Sequence, residues 1–135
     1  MKDLIYNGVM ITTWVRKEVF VEIKFDDNKV ESFFENYNLM AKKKGLEFTK
    51  IVKKRVEQIK AAETFGDYLL TGLGKPHPLT QNKKGLYGIH LTGNKRLLVE
   101  LEVENFEIET IKKCKKVIIK GVEDYHGTKN TTYIP

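Results

Sequence analysis

Cysteine is nearly missing from this chain. Cys114 is the only one in 135 residues, so no disulfide can form within the chain. That usage suits a reducing cytoplasm. Long apolar runs are missing too. The stretch from Val9 to Val15 is interrupted by Thr12 and Thr13 and follows Asp3, which makes a poor secretory segment. No run approaches the apolar length that crosses a bilayer. There is no GxxxxGK[ST] loop and no GxGxxG, so nucleotide-cofactor chemistry has no support. The most informative absence is of one charge sign. Between Asp67 and Glu100 there is no carboxylate, yet the segment carries Lys75, Lys83, Lys84, Lys95 and Arg96, with His77 and His90. Elsewhere the two signs are mixed freely. A surface rich in cations and free of carboxylates suits a phosphate backbone.

The rest of the composition fits one globular domain. The apolar fraction is 41%, the net charge is +6 and the pI is near 9.3. A chain of this size buries a core without metals or disulfides. The charge points to an acidic partner, which is RNA, DNA or an acidic protein segment.

Periodicity sets the expected elements. Asn7-Gly8 favours a tight turn, so residues 1–17 form either a small hairpin or a loose extension. Glu18 to Phe25 alternates as a strand. Asn28 and Glu31 read as a capping pair for a helix carrying Val30, Phe33, Phe34, Tyr37 and Met40, with Gly45 closing it. A second helix spans Glu47 to Glu63 on a stripe of Phe48, Ile51, Val52, Val56 and Ile59. Thr64 and Asp67 cap a short third one. Pro76 and Pro78 hold His77 in an extended loop. Val103 to Ile111 reads as a loop between strands. Lys116 to Val122 is a central, doubly covered strand, and residues 127–135 form a loose polar tail. Strand, helices, then strands gives an α+β class: a small antiparallel sheet with two or three helices on one face.

Parity constrains the hairpin between Tyr87 and Leu101. For Tyr87, Ile89 and Leu91 to share a face with Leu97, Val99 and Leu101, paired residue numbers must sum to an even number. A loop of Thr92-Gly93-Asn94 does this and sets His90 opposite Arg96 on the non-core face.

His77-Pro78-Leu79, Lys83-Lys84-Gly85-Leu86-Tyr87-Gly88-Ile89, Gly93-Asn94-Lys95-Arg96 and Glu123-Asp124-Tyr125-His126 occur in that order. Together they resemble the RelE/HigB superfamily of bacterial toxins, and in particular the HigB-like plasmid-maintenance killer proteins. The resemblance covers a toxin domain of residues 18–126, between the N-terminal extension and the tail. Thr80, His90 and Lys95 depart from the family's pattern. The resemblance implies a toxin of a type II toxin–antitoxin system. Its expected activity is that of a cytoplasmic, ribosome-dependent mRNA endonuclease that needs no metal or other cofactor. The implied partners are mRNA on the ribosome and a helix-turn-helix, HigA-like antitoxin, with no membrane involved.

Such cleavage needs a base for the 2′-OH, cations for the phosphate and an acid for the departing 5′-oxygen. Arg96 is the expected phosphate clamp, since guanidinium offers a planar, always-charged fork. His77, Asp124 and His126 are the acid–base candidates, assisted by Lys84 and Tyr125. Lys75, Lys83, His90 and Lys95 are expected to hold substrate. Asp124 and His126 share strand parity, so both point into one site if the strand continues that far. Two alternatives use the same scaffold: a non-catalytic nucleic-acid or partner-binding module, and a ParE-like gyrase poison.

Overall fold

The computed structural model describes residues 4–6, 9–11, 20–79, 85–126 and 129–134. The chain opens with a hairpin of β1 (Leu4–Tyr6) and β2 (Val9–Ile11), with Leu4 opposite Ile11 and Tyr6 opposite Val9. The strand expected from Glu18 is β3, observed over Glu22–Phe25; residues 18 and 19 lie outside the described residues.

The helix expected from Asn28 to Lys44 is two helices. Asp27 caps α1 (Asn28–Phe34) through the Val30 amide. Asn36 caps α2 (Tyr37–Lys44), its side chain accepting from the Leu39 amide at 3.0 Å. An Asn side chain that bonds nearby backbone competes with helix continuation and starts a new one instead. Then come α3 (Leu46–Lys60) and α4 (Phe65–Thr71), the latter capped by Thr64 as expected.

Five further strands follow: β4 (His77–Pro78), β5 (Leu86–Thr92), β6 (Lys95–Leu101), β7 (Lys116–His126) and β8 (Lys129–Ile134), with α5 (Ile108–Lys112) between β6 and β7. The helix α5 replaces the loop expected over Val103 to Ile111. The strand β8 replaces the loose tail. Ile134 is buried opposite Val122, and this apolar anchor holds the end of the chain to the sheet.

The sheet runs β3-β7-β6-β5-β4, with β8 also beside β7. One edge of β7 pairs with β6. Its other edge is shared, with β3 parallel along Lys116–Ile119 and β8 antiparallel along Val122–His126. Among the described residues the parallel β3 pair is the one departure from an antiparallel sheet. The helices cover the face that carries Ile89, Leu97, Val99, Val117 and Ile119, all fully buried with Val52, Ile59, Phe65 and Tyr68. Ile118 points to the opposite, outer face and is half-buried, so β7 is central but covered by helices on one face. Among the described residues no helix is long and apolar enough to cross a membrane.

Three bulges set which residues face outward, one of them leaving Tyr133 as the extra residue of β8 between the pairs Val122–Ile134 and Glu123–Thr132. Gly93–Asn94 forms a turn of two residues, and Leu91 is the extra residue in β5, between the pairs His90–Arg96 and Thr92–Lys95. The hairpin therefore meets the parity requirement by a shorter turn plus a bulge, and Leu91 stays buried. In β7 the pairs Leu98–Gly121 and Val99–Ile119 leave Lys120 as the extra residue. One extra residue reverses the facing of everything beyond it. Val117 and Ile119 point to the core, and so does Val122. Lys120 is held by Asp26 at 2.9 Å and Glu100 at 3.3 Å. The bond to Asp26 raises its pKa most.

Gly121 sits at φ 136°, where a Cβ is strained. Gly121→Ala is expected to cost about 1–3 kcal/mol of stability, read as a lowered midpoint in urea unfolding. A larger loss is expected if the bulge migrates and takes Val122 out of the core.

Candidate active site

The loop from Gly72 to Leu79 brings Lys75 and His77 to the sheet. Tyr68 in α4 fixes it from below by donating its hydroxyl to the Leu73 carbonyl at 2.5 Å. The His90 amide fixes it from the side through the Gly74 carbonyl at 2.7 Å. Lys75 holds φ 48°, the left-handed region that side chains with a Cβ rarely adopt. His77 pairs with Gly88 across β4 and β5.

Five expected site residues meet there. Lys75, His77, His90, Arg96 and Tyr125 line one cleft of about 350 Å³ on the outer face. Gly88 is its floor: a Cβ at that position would lie 3.1 Å from Arg96 Cδ and 3.5 Å from His77 Cε1. The missing side chain lets these two cross the strand. His77 Nδ1 lies 3.1 Å from the Lys75 carbonyl. A carbonyl only accepts, so the bond needs the proton on Nδ1, and in the neutral ring Nε2 is then an acceptor.

Arg96 is gripped on two sides. Its guanidinium donates to Glu123 Oε2 at 3.0 Å, with 14% and 8% of the two side chains exposed. Its Cζ stands 4.4 Å from the centre of the Tyr125 ring. The Arg96 Nε–H is buried and has no hydrogen-bond partner among the described residues. A buried donor of this kind calls for an acceptor.

The expected set does not converge as a whole. Asp124, His126 and Lys95 do meet one another: His126 Nε2 stands 2.8 Å from Asp124 Oδ1, and Lys95 Nζ lies 3.7 Å from Asp124 Oδ2. They do so on the helix face. Lys95 lies over the Tyr133 ring at 4.7 Å, and that ring packs edge-on against Phe48 of α3. The cause is the Lys120 bulge, which turns Glu123 and Tyr125 toward the cleft and Asp124 and His126 away from it. His126 is also bonded by Asn94 at 3.1 Å. Lys83 and Lys84 lie outside the described residues.

Glu123 was legible only as part of the Glu123–His126 string. Its pairing with Arg96 depends on the bulge, which parity counting does not reveal. The Cys114 thiol is buried and donates to the Lys116 carbonyl. Burial pushes its pKa up, so it is no ready nucleophile.

No protein-family model, curated protein or solved structure matches this chain.

Burial pushes the Tyr68 phenol from 10.0 up to about 12, partly offset by the nearby Arg55 charge. A raised pKa leaves its contribution to stability intact below pH 10.0, and that contribution declines as pH rises toward about 12. Tyr68→Phe is expected to remove this part of the alkaline decline in thermal midpoint. Near neutral pH it is expected to cost about 1 kcal/mol for the lost hydrogen bond. Faster amide exchange at His90 in the same variant would show the loop loosening.

Proposed function

We propose that the protein is a toxin of RelE/HigB type that cuts mRNA on the ribosome in the cytoplasm, is blocked by an antitoxin and requires no metal. The observation that carries this reading is the outer-face cleft. It joins two imidazoles, a lysine and a fixed guanidinium from the carboxylate-free segment of a basic chain to the Tyr125 ring, and the buried guanidinium Nε–H has no partner among the described residues. The order of the HPL, GNKR and DYH elements supports the family assignment.

The chemistry follows from these side chains. Arg96 and Lys75 hold the phosphate between two nucleotides. His77 Nε2 takes the proton from the 2′-OH, whose oxygen then bonds to phosphorus. As charge builds on the phosphate, the preset guanidinium stabilises it without reorganising. The P–O5′ bond breaks, and protonated His90 gives its proton to that oxygen. The products are a 2′,3′-cyclic phosphate and a 5′-hydroxyl end. A substrate without a 2′-OH is not cut. Tyr125 backs the guanidinium and offers its ring to a base. Asp124, His126 and Lys95 brace the end of β7 against the helix side.

Brief induction in a bacterial host, followed by mapping of mRNA 5′ ends, tests this reading. The wild-type chain is expected to produce new in-frame cuts, and Arg96→Ala to reduce them by about a hundredfold or more. Growth arrest without cuts would favour gyrase poisoning. Neither arrest nor cuts would favour a binding module.

A further inference from the structure

Beside the cleft lies a second recess, of about 270 Å³. It is built by β8, the strand that follows the toxin-like segment. Its walls include Glu123, Asn130 and Thr132, and its base includes Leu98 and Gly121. Register explains how these residues meet. On the outer face His90 stands opposite Arg96, Arg96 opposite Glu123, and Glu123 opposite Thr132. One row of side chains thus crosses four strands. Its span is three strand spacings, about 14 Å. Asn130 sits next to this row, opposite Tyr125.

The two recesses share a wall, the Arg96–Glu123 pair, but differ in chemistry. The cleft is cationic. The β8 recess has neutral hydrogen-bonding groups in Asn130 and Thr132, an apolar patch in Leu98, and opposite charges in Lys120 and Glu123. That lining does not favour a phosphate. It suits a flat, uncharged ring with polar edges.

We propose that the β8 recess is a base-binding subsite for the nucleotide next to the cleaved phosphate. This rests on the reading of the cleft as an RNA site and extends it. The base lies over Leu98 and Gly121, and its edge meets the Asn130 amide and the Thr132 hydroxyl. The Glu123 carboxylate accepts from an exocyclic amino group. Arg96 sits between the phosphate and the base, so one side chain pair sets the spacing of both. The recess makes cleavage depend on the identity of the flanking base.

Binding of non-cleavable RNA tests this. The probes are fluorescent 2′-O-methyl hexanucleotides in which one position at a time carries A, C, G or U. The wild-type chain is expected to show about a tenfold spread in Kd at one position. Asn130→Ala with Thr132→Val is expected to shrink that spread below about threefold and leave the salt dependence unchanged, since no phosphate contact is lost. Thr132→Val alone, which keeps a β-branched residue in the strand, carries the test if the pair unfolds. A spread that survives in these variants overturns the subsite, as does a wild-type chain that shows no spread at any position. In either case Arg96-dependent binding would leave the cleft reading standing. Binding that Arg96→Ala does not weaken, or no binding at all, overturns both.

Discussion

One extra residue in the central strand governs the functional surface. Without the bulge at Lys120, the residues after Ile119 would continue the alternation of the first half of β7. Asp124 and His126 would then face the cleft, and Glu123 and Tyr125 would face the helices. With it, Val122 joins Ile134 in the core and Glu123 lies opposite Arg96. The bulge is held by ion pairs from Lys120 to two strands, β6 through Glu100 and the end of β3 through Asp26. It is also eased by Gly121, whose backbone conformation no other residue adopts freely. Packing, register and site chemistry therefore meet at the same few residues.

The Arg96–Glu123 pair follows from that register. A carboxylate as buried as Glu123 needs a charged partner, because desolvation costs it several kcal/mol. Arg96 supplies one, and Glu123 in turn holds the guanidinium plane over Tyr125. The compensation is local. Glu123 removes part of the positive charge at Arg96, and Lys75 restores it on the cleft's other side. What remains is a fixed dipolar group whose buried Nε–H has no partner among the described residues. Such a group favours charge that develops during reaction over charge already present in the substrate.

Where local chemistry decides structure, the chain was readable. The apolar stripe of α3, the Thr64 cap and the extended loop around Pro76 and Pro78 all depend on residues within a few positions of one another. The His90–Arg96 pairing was readable because burying Arg96 would be costly, and that cost selects the register whatever the turn length. Other features depend on distant partners. The break before Asn36 turns on a side chain bonding backbone rather than continuing a helix, which its apolar spacing does not show. The strand β8 exists because Val122 offers an apolar place for Ile134. The β7 bulge leaves no mark in the run Val117-Ile118-Ile119, and so the site divides between two faces where the sequence suggested one.

The chain has three histidines, and they separate the two faces. His77 and His90 line the outer cleft, while His126 lies with Asp124 on the helix side. The imidazole Cε1–H resonances can be followed by NMR while a 2′-O-methyl RNA hexanucleotide is added. An outer-face RNA site predicts saturable shifts at His77 and His90, and little change at His126. Shifts confined to His126, with His77 and His90 unmoved, would contradict it and place RNA binding on the opposite face of the sheet.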